Sequence, residues 1–408
     1  MRRDFEQKMQ IKKLPVEFEE ALPILKQIRQ AGFEAYFVGG CVRDTLLGLP
    51  IHDIDIATSA YPEEIKQIFS KTVDTGIEHG TVMVLDHGIG YEITTFRTES
   101  GYQDFRRPDK VEFVRSLAED LKRRDLTINA LALAPDGQII DLFGGLEDLK
   151  AKRIKAVSDA KERFFEDALR MMRAVRFASQ LDFSIEVNTL QAIQQNAHLL
   201  EKIAVERIHV EWIKLLLGKQ PKCGLEAFVT TRLFEYCPGF APHAQALADL
   251  SKLELELTTE AQCWGLLGYS FKLNEKQLRK LLKAWKTSNE IIAQAQHILN
   301  LLQIYSTGKK DIWACYQAKS EAVSAVAQLA TLLAFPAFDA ADFMQAYAQL
   351  AIKDKSQLAV NGKLLIKEAK LTPGPLLGKI LNILEREVVL GEISNQKEAL
   401  LTRAKNLR

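Results

Sequence analysis

The sequence predicts an α+β fold, with a small mixed sheet and its helices first and an all-helical remainder after it. Three observations carry this. Short apolar runs alternating with period two are confined to about the first 150 residues. Beyond them a 3.6-residue period dominates, in segments rich in Ala, Leu, Gln and Lys. The length of 408 residues exceeds what one core fills, at about 150 residues per domain. With 47% hydrophobic and 26% charged residues, the chain has the composition of one that buries a core.

Residues 17–30 read as an amphipathic helix and 35–38 as a strand ending at Gly39-Gly40. A helical pattern resumes over 42–47 and is stopped by Gly48-Leu49-Pro50. Residues 51–58 alternate and read as a strand; 62–69 read as a helix with Pro62 in its first turn. Strands at 81–85 and 91–97 form a hairpin over 86–90. The charged stretch 98–110 reads as a mobile loop, and 117–133 as a helix followed by a turn at Pro135-Asp136-Gly137. From residue 151 onward, 164–181, 188–200, 205–217, 277–285 and 290–302 favour helix, with linkers near 218–221 and 306–308. The division expected is a head over 1–150, a neck over 151–218, a body over 219–306 and a tail over 307–408.

The formal net charge of +1 argues, taken alone, against a strongly basic nucleic-acid binder or a polybasic membrane protein. Residues 1–150, however, hold 19 basic and 26 acidic side chains, and 151–408 hold 35 and 27. The five cysteines are odd in number, scattered and without a C-x-x-C pair, so free thiols in a reducing compartment are expected rather than disulfides or zinc ligands. The N-terminus lacks an apolar core of the signal-peptide kind, and no apolar run approaches the roughly 18 residues of a membrane span. A cytoplasmic protein with no membrane partner is the expectation.

The chemistry concentrates in three clusters. The first is Gly39-Gly40-Cys41-Val42-Arg43-Asp44, then Leu47-Gly48, then Asp53-Ile54-Asp55. Two carboxylates two apart on a strand share a face and repel unless a cation lies between them, and Mg²⁺ suits oxygen ligands plus phosphates. A Gly-Gly turn lets backbone approach a ligand, the helix N-terminus after it offers free N–H groups to phosphate, and Arg43 adds a rigid donor fork. Together they read as a nucleoside triphosphate site. Glu92, on a neighbouring strand, is either a third site carboxylate or a strand-face glutamate paired with a cation. The second cluster is Asp120-Leu121-Lys122-Arg123-Arg124-Asp125 with Asn129-Ala130. There Arg124 could reach triphosphate or sugar hydroxyls and Asp125 a ribose hydroxyl, or the cluster is a salt-bridged helix face. The third is Glu166-Asp167-x-x-Arg170, continuing to Arg173 and Arg176. On a continuous helix, steps of three place Asp167 beside Arg170. A carboxylate only accepts, so Asp167 suits the amino group of cytosine or adenine; Arg170 only donates, so it suits their ring acceptor. Uracil and guanine present a carbonyl where the amino group would be. The alternative is an i,i+3 structural salt bridge.

Taken in order, these motifs resemble those of the class II tRNA nucleotidyltransferases, the CCA-adding branch of the DNA polymerase beta superfamily. Arg123-Arg124-Asp125…Asn129-Ala130 looks like the second motif, Asp141-Leu142-Phe143-Gly144-Gly145…Asp148-Leu149 like the third, and Glu206-Arg207-Ile208…Glu211 like the fifth. The set spans about residues 30–217; Val360-Asn361-Gly362-Lys363 and 373–378 resemble the family's tRNA-holding tail. No His-Asp phosphohydrolase cluster is evident, and the first dozen residues lie outside the resemblance. The resemblance implies a polymerase-beta-like head with helical neck, body and tail. It implies catalytic and Mg²⁺-binding roles for Asp53 and Asp55, and triphosphate contacts for Gly40, Arg43 and Arg124. Asp167 and Arg170 would pair with the base, while Arg173 and Arg176 support that helix and the triphosphate. The substrates implied are tRNA lacking its 3′-CCA, CTP and ATP, and the state implied is a homodimer. The stretch 97–108 resembles the loop that accompanies the switch from C to A, which favours full CCA addition over CC addition. The rivals are an A-only or poly(A) enzyme, the latter disfavoured by the lack of a G-R-R-F-type segment, and a non-catalytic RNA binder, against which both aspartates stand.

Overall fold

A computed structural model describes residues 9–103, 107–336 and 338–407. The chain divides after Lys252 into two compact units. The expected head and neck both lie in the first, the tail in the second, and the expected body spans the division.

The first unit is built on a seven-stranded sheet. Helix α1 (Val16–Gln30) precedes β1 (Ala35–Val38), α2 (Gly40–Leu47), β2 (Asp55–Thr58), α3 (Pro62–Ile68) and β3 (Thr72–Gly76). Then come β4 (Thr81–Asp86), β5 (Ile89–Thr95), β6 (Arg97–Gln103), β7 (Arg107–Phe113), α4 (Leu117–Lys122), β8 (Leu131–Leu133), β9 (Ile139–Asp141) and α5 (Gly145–Lys150). Strand order is β3-β4-β5-β2-β1-β8-β9. Only β2 and β5 pair in parallel within it, and their register sets Asp55 opposite Glu92. Because partners in register point to the same face, this pairing alone brings a second acidic side chain beside Asp55. The sheet is held by an apolar layer that includes Val38, Ala57, Phe96, Leu121 and Ala132, and Phe18 of α1 packs edge-on against Phe37 at 4.6 Å between ring centroids.

Several expectations fail here. Residues 51–54 are not strand, so Asp53 lies in the loop before β2 rather than on one face with Asp55. The expected helix over 117–133 ends at Lys122; a 3₁₀ turn at Thr127–Asn129 and strand β8 replace its second half. The reason is tertiary. Thr127 donates to Asp148 at 2.7 Å, Asn129 is bonded on both sides, and the fully buried Leu131-Ala132-Leu133 fills the gap between β1 and β9. The stretch 98–110 is no loop: its described backbone forms a hairpin of β6 and β7, and Asp104, Phe105 and Arg106 lie outside the described residues. Residues 9–11, which fall outside the family motifs, dock on the β9 edge through Met9 and Ile11, with Gln10 bridged to Gln138. Gly137 admits them: its φ is +86°, and a Cβ there would stand 2.3 Å from the Ile11 carbonyl.

The rest of the first unit follows as β10 (Arg153–Ile154), α6 (Ala160–Glu166), α7 (Leu169–Leu181), β11 (Ser184–Ile185), α8 (Val187–Asn196), α9 (Val205–Leu216), α10 (Pro221–Thr230) and α11 (Ala244–Leu250). The single helix expected over 164–181 is broken at Asp167, whose backbone is extended, and that over 188–200 passes into a 3₁₀ turn at Ala197. Helix α7 is the unit's central helix, covered by α9 and α10. Ser179 donates to the Leu215 carbonyl, and a Cβ on Gly218 would stand 2.0 Å from the Ser179 hydroxyl. Gly218, expected in a linker, is therefore packed.

The second unit is helical throughout: α12 (Glu260–Ser270), α13 (Glu275–Ala284), α14 (Asn289–Tyr305), α15 (Ile312–Leu332), α16 (Ala340–Ala348), α17 (Gly362–Glu368), α18 (Pro375–Val389) and α19 (Lys397–Asn406). Gly265 lets α12 and α14 close together, since a Cβ there would stand 2.4 Å from Ile298. Leu365, Leu384 and Leu400 centre the core shared by α17, α18 and α19. No helix among the described residues is long and apolar enough to cross a membrane.

Candidate active site

The tip of β1 is where the site begins. Gly39 takes φ +77°, and a Cβ on it would stand 3.0 Å from Nη1 of Arg124 and 3.6 Å from Oδ2 of Asp55. The positive φ disfavours a side chain there, and an added Cβ would press on the Arg124 guanidinium, so an arginine and an aspartate converge on bare backbone. Helix α2 starts at the next residue, and its first N–H groups lack intrahelical partners. Cys41, buried within it, donates to the Val38 carbonyl, and burial pushes its thiol up to about 11.

One cleft of about 520 Å³ gathers Gly40, Arg43, Asp55 and Arg124 from the head and Asp167, Arg170, Arg173 and Arg176 from the neck. Asp55 also lines a second, adjoining hollow of about 460 Å³, together with Asp53 and Glu92. Asp55 reaches solvent there, yet the surrounding protein strips much of its water, which raises its pKa. The Arg124 charge offsets this, while Glu92 and Asp53 add to it. Three carboxylates partly uncompensated at the mouth of an arginine cleft fit a hard divalent cation. Among the described residues no cation pairs with Glu92, and no three acidic, histidine or cysteine side chains close into a complete metal cage.

The arginines are held in place from behind. Arg43 donates through Nε and Nη2 to Asp44 at 2.8 and 2.9 Å and through Nη1 to Asn129 at 2.6 Å. Arg124 donates to Asp120 at 3.2 Å and to the Asn129 carbonyl at 3.3 Å, and its buried Nε has no protein partner. Asp120 is 1% exposed and also takes Arg123; burial alone would raise its carboxyl, but Arg123 and Arg124 hold it below the usual range. Asp125 is buried and accepts from Arg173 Nε at 2.6 Å, from Asn129 at 3.2 Å and from its neighbour's amide. Burial would raise it as well, and Arg173, Asn129 and Arg170 bring it well below the usual carboxylate range. The ribose contact open to Asp125 in the sequence is therefore spent on orienting Arg173.

Asp167 and Arg170 both line the cleft, but not as the helical i,i+3 pair expected. With the helix broken between them, Asp167 accepts from the Leu169 amide at 3.0 Å and from Nη2 of Arg207 at 2.8 Å. Arg170 donates to Glu166 at 2.8 Å and to the Arg123 carbonyl at 2.9 Å. An acid just before a helix gains more from that helix's free N–H groups than from a residue one turn on. Arg176 pairs with Glu211 and donates to Gln180 at 2.7 Å. Arg207 and Glu211 are the partners of Asp167 and Arg176 that the residues alone did not reveal; the fifth motif contained them, and only its resemblance marked them. The third motif is structural: Asp141 accepts the amides of residues 143–146 at 2.9 to 3.2 Å and seats α5, and Asp148 ties Thr127 to Arg153.

A polymerase-beta-type sheet with an acidic mouth, a Gly-Gly turn into a helix and an arginine cleft closed by a helical neck define a nucleotidyltransferase. Residues 35–155 match the poly A polymerase head domain, 182–243 the RNA and SrmB-binding site of polymerase A, and 255–404 the tRNA nucleotidyltransferase domain 2. A protein of Ligilactobacillus salivarius called a CCA-adding enzyme is 59% identical over 98% of this chain and 99% of its own length. One of Limosilactobacillus reuteri is 56% identical over the same shares. The solved Bacillus stearothermophilus CCA-adding enzyme in complex with CTP superposes with a TM-score of 0.84 at 41% identity, covering 96% of this chain and 98% of that one. The Thermotoga maritima enzyme complexed with tRNA shares the fold at 22% identity and a TM-score of 0.67, covering 97% of each chain. The chain belongs to the CCA-adding enzymes, a family of tRNA nucleotidyltransferases.

Proposed function

We infer that this chain builds and repairs the 3′-terminal CCA of tRNA from CTP and ATP, with no nucleic-acid template and with release of pyrophosphate. One observation carries the reading: the head residues suited to triphosphate and the neck residues suited to a base edge line the same cleft. Gly40 and the start of α2, with Arg43, Arg124 and Arg173, surround a triphosphate. They neutralise the charge that grows on the departing pyrophosphate, and no reorganisation is needed because each arginine is already braced by a carboxylate. Asp167, oriented by Arg207, and Arg170 read the amino group and ring nitrogen of cytosine or adenine, so the protein takes the place of a template.

Asp53 and Asp55 would hold Mg²⁺, with Glu92 beside them as a third carboxylate. The ion, when bound, neutralises the α-phosphate and eases deprotonation of the primer hydroxyl. The hairpin of β6 and β7 serves the change from C to A. The free cysteines support a reducing, cytoplasmic setting. The homodimer implied by the family resemblance is expected as a doubled mass in light scattering.

The test uses the full chain, Mg²⁺ and a tRNA ending at its discriminator base, with labelled CTP and ATP. Two labelled C residues followed by a single A are expected. A long A ladder would make it a poly(A) enzyme, A alone an A-adding one, and no incorporation would sink the enzymatic reading.

A further inference from the structure

We propose that Phe177 is the positioning residue for the triphosphate arginines, a shared aromatic wall that fixes three guanidiniums on one ring. It deepens the triphosphate reading above and rests on it. Arg43 of the head lies with its guanidinium carbon 4.8 Å from the Phe177 ring centroid; Arg176 lies at 3.9 Å and Arg173 at 5.7 Å. Phe177 is 5% exposed and faces the same cleft. Three like charges around one point repel, and each is braced by its own carboxylate: Asp44 for Arg43, Asp125 for Arg173, Glu211 for Arg176. The ring's negative face supplies a common attraction. Among the described residues only Nε of Arg173 is bonded, so its two terminal nitrogens remain for a ligand. Arg43 comes from α2 and the other two from α7, so the ring also sets the head's phosphate group against the neck's.

The chemistry assigned is polyphosphate positioning, independent of the base. Asp167 and Arg170 are held by Arg207, Glu166 and the Arg123 carbonyl rather than by the ring, so removing it should weaken CTP and ATP alike and leave base choice intact.

The experiment compares wild type with Phe177→Leu and Phe177→Met, which remove the ring, and Phe177→Tyr, which keeps it. The readouts are KM and kcat for CTP and ATP, inhibition by inorganic tripolyphosphate, and incorporation of UTP. Loss of a desolvated cation–π contact should raise both KM values and the tripolyphosphate inhibition constant by about tenfold, with Phe177→Tyr near wild type. UTP should stay rejected. Equal tripolyphosphate inhibition in wild type and both ring-less variants would overturn the role of Phe177 alone. So would a Tyr variant as impaired as the Leu one, or a ring-less variant that admits UTP. If tripolyphosphate fails to compete with CTP on wild type itself, the triphosphate reading of the cleft falls instead.

Discussion

Asp55 and Asp125 show two carboxylates of one cleft pushed in opposite directions. Lost water and the neighbouring Glu92 and Asp53 raise Asp55, with Arg124 in opposition. An acid with a raised folded pKa favours the folded state when protonated. That contribution is present at low pH and is lost as pH rises from about 4 through the folded value. Above the folded value the ionised Asp55 is a cost to the folded chain without a cation. Asp55→Asn should therefore abolish nucleotide transfer while leaving the melting midpoint unchanged or higher in metal-free buffer at pH 7. A lower midpoint would show that its charge serves the fold. Asp125 is depressed, so its contribution is complete above about pH 4 and is lost as pH falls below that. Melting followed from pH 7 to pH 3 should fall steeply below about 4 in wild type and less so in Asp125→Asn, which starts lower.

At the scale of elements, the site depends on α7 and on the turn that follows α4. The sequence made the motifs legible because each is a local signal: Gly-Gly after an apolar run, two aspartates two apart, an acid ahead of a basic helix. Their partners are not local. Arg43 meets Asn129, Arg173 meets Asp125 and Asp167 meets Arg207, and no spacing rule links residues 40 to 86 positions apart. The same lack explains the misread stretch 117–133. Its apolar period fits a helix, and only pairing with β1 and β9 makes Leu131-Ala132-Leu133 a strand. Asp120 is the joint of this turn: it takes Arg123 and Arg124 and caps the Arg97 amide at the root of the β6 hairpin at 3.4 Å. Asp120→Asn leaves two guanidiniums facing a neutral amide in a buried place, a loss of about 3 kcal/mol by analogy with broken buried pairs. Denaturant unfolding should register it, with a raised KM for CTP because Arg124 loses its brace. An unchanged midpoint and KM would contradict this role.

Across the whole molecule, the net charge of +1 conceals the acidic excess of residues 1–150 and the basic excess that follows. The second unit alone, from Leu253 on, holds 20 basic and 15 acidic side chains. A polyanion gripped by such a surface releases counterions, so the dissociation constant for tRNA should rise several-fold or more between about 50 and 200 mM salt. Filter binding insensitive to salt would contradict an electrostatic grip. The central claim, however, is that the protein itself chooses the base. The direct measurement is to offer wild type and Asp167→Ala all four nucleoside triphosphates at equal concentration with a tRNA lacking CCA, and to sequence the 3′ ends. Wild type is predicted to yield CCA and nothing else, and Asp167→Ala to yield mixed ends with uridine among them. Uridine or guanosine in the wild-type ends, or an Asp167→Ala variant that still writes only CCA, would contradict it.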